Sequence, residues 1–292
     1  MSRLAYDIVD VFTDRPFTGN PLAVVFGGDD LDSAQMLTLA REFHLSETVF
    51  LLPTTAPGAG YRARIFTPAA ELPFAGHPSI GAAVVAVAHG LCQPDAVNVV
   101  IQECGIGLLP IEVSDTSARV TGGQPRVGPP LDPAPLLAML GLPESALAGP
   151  PPRLAGCGLD FVYLAVAPDA VAAAEMNTAQ ARQHGAPELS VFSWDVARQT
   201  AHARVFCPGA GVPEDPATGS AALGLGAYLV AAGLLPEDGE SRYLVRQGAE
   251  LRRPSLLDAT ITARDGAATV ATVAGGVVPI ASGHIATPPF VG

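Results

Sequence analysis

Apolar residues alternate with polar ones, or run on unbroken, at Tyr6–Phe12, Leu22–Phe26, Thr48–Leu52 and Tyr61–Phe66, and each run predicts a strand. Between the second and third, Met36, Leu37, Leu39, Ala40 and Phe43 recur at helical spacing behind Asp32 and Ser33, either of which can cap the helix. A turn punctuated by Pro and Gly follows Phe66, then a helix of small residues from about Pro78 to His89. Strand patterns return at Val97–Ile101, Gly107–Val113 and Ala118–Thr121. From Gly122 to Pro152 prolines crowd the chain, with one short helical stretch at Leu136–Leu140; proline continues neither a helix nor a central strand, so this segment is read as a domain boundary.

Beyond the boundary the order repeats. Strand-like Phe161–Val166 precedes helical Met176–Gln183, strands near Leu189–Phe192 and Ala203–Phe206, and a helix at Ala221–Ala232; strands near Tyr243–Val245, Ala259–Ala263 and Thr269–Val273 complete the series. Arg64-Ile65-Phe66-Thr67-Pro68 returns 140 positions later as Arg204-Val205-Phe206-Cys207-Pro208. Gly76-His77 and Gly81 return 143 positions later as Gly219-Ser220 and Gly224. A shared element order with two aligned blocks reads as duplication. The expected division is residues 1–124 and 125–292, with about 278–292 packing back onto the first part and an active site in the cleft between them.

Composition narrows the chemistry. The 292 residues are 49% hydrophobic and only 15% charged, with 31 glycines and 28 prolines, as in a turn-rich globular protein. The net charge of −12 offers no basic face for nucleic acid. Every one of the 16 basic residues is arginine. Without lysine there is no Schiff-base chemistry and no phosphate-loop amine. The four cysteines, Cys92, Cys104, Cys157 and Cys207, have no zinc spacing and read as reduced packing residues. The uncharged run Gly219–Pro236 is rich in glycine and reads as a buried helix rather than a membrane span. The first residues lack the apolar stretch of a signal peptide, so a cytoplasmic location is expected.

Helix N-termini carry orphan N–H groups and partial positive charge, and so favour anions. Gly76 and Gly219 would let a ligand approach the backbone, and His77 and Ser220 would add side-chain donors. Glu47, at a strand start near Phe50 and Leu51, is expected to lose solvation and shuttle a proton. Asp215 directly precedes the second turn. Each has a plainer role: Asp215 as a helix cap, Glu47 as a solvated strand end, His77 as a cap or a packed residue. For Arg64 and Arg204 an ion pair steadying the turn is preferred over a substrate carboxylate, and Glu71 is read as structural. His44, His89, His184, His202 and His284 stand singly, and no G-x-S-x-G, H-E-x-x-H or G-x-G-x-x-G following a strand is present.

The run Val11-Phe12-Thr13 through Pro16-Phe17-Thr18-Gly19-Asn20-Pro21-Leu22-Ala23 resembles the opening of the PhzF-like phenazine-biosynthesis family. So do Leu45-Ser46-Glu47-Thr48, Glu71-Leu72-Pro73-Phe74-Ala75-Gly76-His77-Pro78, Glu214-Asp215-Pro216-Ala217-Thr218-Gly219-Ser220 and Arg246-Gln247-Gly248, in the family's order from about residue 5 to 284. The resemblance implies an α/β (α+β) fold of two pseudo-symmetric domains, each a mixed, largely antiparallel sheet rolled around a central helix, as in diaminopimelate epimerase. It implies that Glu47 is the acid/base, that His77 and Asp215 assist it, and that Ser46, Gly76, Gly219 and Ser220 line the site. It implies no cofactor and a homodimer, and the singly scattered histidines give no spacing for a metal.

Epimerases and racemases of this fold carry a thiol before each turn glycine, where this chain has Ala75 and Thr218. Two-thiol racemisation is therefore excluded. A single carboxylate can still move a proton between carbons on one face. The expected activity is a cofactor-independent isomerase acting on a small anionic carboxylate, with no nucleic-acid or membrane partner. The alternatives are an epimerase or racemase using two carboxylates, and a non-catalytic protein that binds a small molecule or a partner.

Overall fold

The computed structural model describes residues 2–177, 181, 187–208 and 212–289. The chain forms two compact units, Met1–Val120 with Ala274–Gly292, and Thr121–Val273. The first unit therefore ends at Val120, and the chain returns to it at Ala274.

In the first unit, β1 (Arg3–Val11) and β2 (Asn20–Phe26) pair antiparallel. Helix α1 (Ser33–Phe43) then carries the chain to β3 (Glu47–Leu52), parallel to β2. A reciprocal cap starts α1: Gln35 N donates to Asp32 Oδ1 at 2.8 Å, and Asp32 N donates to Gln35 Oε1 at 3.1 Å. His44, at φ 52°, ends the helix abruptly, and Glu47 opens the next strand three residues later. β4 (Tyr61–Phe66) runs antiparallel to β3, and the short β5 (Glu71–Leu72) folds back on it. Helix α2 (Gly76–Ala88) crosses to β6 (Val99–Cys104), parallel to β4. β7 (Gly107–Val113) and β8 (Ser117–Thr121) follow as antiparallel neighbours. The last strand, β17 (Ala267–Ala286), pairs with both β8 and β1, so the strands close into a ring.

Helix α2 touches β1, β2, β3, β4, β6 and β7. Apart from His77 its residues are apolar or small all round, and Gly76–Ala86 are buried, as expected of a helix at the centre of a rolled sheet.

The second unit repeats the plan. The proline-rich segment holds β9 (Arg126–Pro130), α3 (Pro133–Met139) and a 3₁₀ turn at Glu144–Ala146, before β10 (Arg153–Gly156) pairs with β9. β11 (Asp160–Ala165) leads through α4 (Pro168–Ala173) to β12 (Leu189–Asp195), parallel to it. Antiparallel β13 (Thr200–Cys207) and the short β14 (Val212–Asp215) precede α5 (Gly219–Ala231), which is buried over nearly its whole length. β15 (Gly239–Gln247) is parallel to β13, and β16 (Ser255–Arg264) is antiparallel to β15. Asp265 (φ 53°) and Gly266 (φ 75°) then form the two-residue hairpin into β17. Among the described residues no helix is long and apolar enough to cross a membrane.

Three sequence expectations are corrected. The central helices begin at Gly76 and Gly219, two residues before Pro78 and Ala221, because Pro78 occupies the third helical position rather than the first. Prolines 129 and 130 do not prevent a strand: β9 ends on them, paired with the neighbouring β10. In the second half the crossover helix among the described residues is Pro168–Ala173, opened by its own proline. The expected helix at Met176–Gln183 falls largely outside the described residues.

Candidate functional site

The starts of three elements meet in the first unit. Asn20 opens β2, Glu47 opens β3 opposite Leu22, and His77 is the second residue of α2. Glu47 Oε2 lies 3.4 Å from His77 Nδ1, and Asn20 Nδ2 lies 3.4 Å from the same nitrogen. Asn20 is fully buried, the His77 ring is 4% exposed and the Glu47 side chain 16%. Burial lowers the His77 pKa to about 3, so the imidazole is neutral beside the carboxylate. Among the described residues, buried His77 Nε2 and Thr48 Oγ1 have no hydrogen-bond partner.

The N-cap of α2 is Ala75, which offers no side-chain acceptor to the helix's first amides. Thr218, the N-cap of α5, likewise makes no capping bond. His77, as the second helical residue, is not the cap of α2. At each helix start the N-cap residue supplies no side-chain acceptor to the first amides, which lie beside the repeated glycine.

Asp215, in the second unit, is half-buried at the end of β14. Thr218 Oγ1 donates to its Oδ2 at 2.6 Å. Gln247, at the end of β15, donates through Nε2 to the Asp215 carbonyl at 2.7 Å and to Thr218 Oγ1 at 3.0 Å. Ser220 is buried beside Gly219 in the first turn of α5, and Ser46 is half-buried next to Glu47.

The arginines hold the turns. Arg64 donates through Nε and Nη2 to the two Glu71 oxygens, at 2.7 and 2.6 Å. Arg204 grips Glu214 in the same way, at 2.8 Å for both bonds, and also donates to the Ala174 carbonyl at 2.6 Å. Each guanidinium lies over the Phe two residues on, 5.2 Å from Phe66 and 4.9 Å from Phe206. The repeat read in the sequence is thus a repeated structural clamp, and Glu71 is its acidic half.

Asn20, Thr218 and Gln247 received no role from the sequence. All three stand inside its quoted motifs, and their polar side chains at the ends of apolar runs were the available signal.

The family model described as "Phenazine biosynthesis-like protein" matches residues 9–283. An uncharacterised isomerase of Mesorhizobium japonicum is 35% identical, across 96% of this chain and 98% of its own. The trans-2,3-dihydro-3-hydroxyanthranilate isomerase of Pseudomonas chlororaphis is 33% identical, across 96% and 98%. A solved Pseudomonas aeruginosa structure described as a predicted epimerase is 34% identical with a TM-score of 0.79, covering 98% of this chain and all of that one.

Proposed function

The chain belongs to the phenazine biosynthesis-like family, whose relatives include named isomerases, and from that premise we propose that it is an isomerase moving a proton between two carbons of a small carboxylate. Glu47 takes the proton from one carbon, the electron pair left behind spreads into the adjoining unsaturated system, and the same carboxyl returns the proton to another carbon. His77 stays neutral throughout and stabilises the charge that develops, as an uncharged imidazole can when burial forbids the imidazolium. The Gly76 and Gly219 amides, with Ser46, Ser220 and Asp215, bind and orient the substrate.

The observation that carries this reading is the 3.4 Å approach of Glu47 to a buried, neutral His77 at an uncapped helix start. Ala75 and Thr218 in the superfamily's thiol positions favour one-carboxylate transfer.

The substrate in the name of the Pseudomonas chlororaphis relative, trans-2,3-dihydro-3-hydroxyanthranilate, is the first compound to try. In deuterated water the parent should incorporate label at carbon and convert it, while Glu47→Gln should lose both by about 10²–10⁴-fold. Exchange surviving in Glu47→Gln refutes the assignment of the base. Epimerisation is the second reading, favoured by the Pseudomonas aeruginosa structure. A product differing from substrate only in configuration at the labelled carbon would select it.

A further inference from the structure

Resting on the reading of Asp215 as a substrate-orienting carboxylate, we infer that Gln247 and Thr218 are positioning residues that aim it through a one-way chain of hydrogen bonds. The direction of the chain follows from groups that can play only one part. The Gln247 side chain accepts at Oε1 from the backbone N–H of Thr218, at 3.2 Å, and donates from Nε2 to the backbone carbonyl of Asp215, at 2.7 Å. An N–H can only donate and a carbonyl can only accept, so these contacts fix which end of the amide is which. The second Nε2 hydrogen then points at Thr218 Oγ1, 3.0 Å away. With its oxygen accepting there, the single hydroxyl hydrogen of Thr218 goes to Asp215 Oδ2 at 2.6 Å, a distance in the charge-assisted range.

Burial protects the chain from competition by solvent: Gln247 is 2% exposed and Thr218 9%. The backbone sets the spacing. Gly248 follows Gln247 at φ +78°, and a Cβ there would stand 2.5 Å from the Pro216 carbonyl, so the end of β15 is pressed against the Asp215–Pro216 turn.

The first unit builds a similar device with a different end. Tyr61 OH donates to Gln102 Oε1 at 3.1 Å, Gln102 Nε2 donates to Ser79 Oγ at 3.0 Å, and Ser79 Oγ donates to the Ala75 carbonyl at 2.9 Å. A buried glutamine on the strand after the central helix thus secures each helix start. In the first unit the chain ends on a backbone carbonyl and serves only to hold the turn. In the second it ends on a titratable carboxylate, and its single hydroxyl hydrogen is committed there. Thr218 therefore orients a carboxylate and has no hydroxyl proton left to offer a substrate.

The test uses the full chain with ¹³C-labelled aspartate, Asp215→Asn identifying the Asp215 signal. Without substrate, the midpoint of the Asp215 ¹³Cγ titration should rise by about one pH unit in Thr218→Val, which keeps the shape and loses the hydroxyl. It should stay in place in Thr218→Ser and rise in Gln247→Met, which frees the hydroxyl to turn. With trans-2,3-dihydro-3-hydroxyanthranilate, kcat should fall about tenfold in Thr218→Val and recover in Thr218→Ser. A titration unmoved in both Thr218→Val and Gln247→Met overturns the relay, and Gln247→Met decides alone if Thr218→Val does not fold. Because the titration is read without substrate, a relay that stands beside a parent with no isomerase activity would refute the functional reading alone.

Discussion

A histidine is ordinarily half-charged near pH 6.5, yet His77 is held neutral down to about pH 3 by burial alone. This links its chemistry to the stability of the fold. Below pH 6.5 the unfolded chain binds a proton at His77 that the folded chain refuses, so stability falls as the pH drops from about 6.5 toward 3 and is insensitive to this group above that window. Between pH 7 and pH 5 the loss from His77 is about 2 kcal/mol. Urea unfolding at the two pH values should show that difference in the parent and a correspondingly flatter response in His77→Gln. Equal losses in both proteins would mean that the ring takes up a proton in the folded state. The neutrality also keeps His77 from forming an ion pair with Glu47, 3.4 Å away.

The central helices carry glycines in their interiors, at a cost in helix propensity, where neighbours approach closely. In α5, a Cβ on Gly224 would lie 2.4 Å from the Tyr163 hydroxyl and 3.0 Å from Gly156 Cα. Tyr163 is committed to the Ala221 carbonyl at 2.8 Å, so neither neighbour can retreat. Gly224→Ala gains about 1 kcal/mol of helix propensity but incurs an overpacking cost of about 1–3 kcal/mol. The variant should unfold at a lower temperature than the parent. Gly81→Ala in α2 should lose less, since the nearest obstacle is the mobile end of Leu22. A Gly224→Ala protein as stable as the parent would contradict this packing argument. The same closeness explains what the sequence revealed. Small-residue periodicity announced both helices, and the Arg–Phe repeat announced the duplication. β9 was missed because Pro129 and Pro130 break a central strand but not one that ends on them. The length of β17 was hidden by Gly275 and Gly276, whose missing side chains make room for Phe12 and for the Thr13 carbonyl. Glu47, His77 and Asp215 were legible as ionisable groups at turns. Asn20 and Gln247 were not, because a buried amide takes its meaning from partners far along the chain.

At the scale of the whole molecule, one unit is nested within the other in sequence: Thr121–Val273 lies between the two segments of the first. The ring of the first unit closes only through the returning strand, which places Val277 opposite Val11 and Ala286 opposite Arg3 along the full length of β1. A chain ending at Val273 would leave β1 unpaired on that side while Val9 and Val11, buried in the intact protein, lose their cover. Such a chain should expose apolar surface and aggregate. Residues 1–120 joined to 274–292 by a short Gly/Ser linker regain the pairing partner of β1, and the Val277 amide's bond to the Thr116 carbonyl secures the other edge of the strand. The linked protein should therefore unfold cooperatively, with strand-rich circular dichroism and a monodisperse elution profile. If the chain ending at Val273 behaved equally well, ring closure would contribute little to the first unit. The setting of Glu47 and His77 would then depend on α1, β3 and α2 alone. The linked protein retains Asn20, Glu47 and His77 and lacks Asp215, Thr218 and Gln247. It should keep the neutral His77 ring, visible in ¹⁵N spectra at pH 5, and a ring protonated there would mean that the second unit is needed to hold His77 buried.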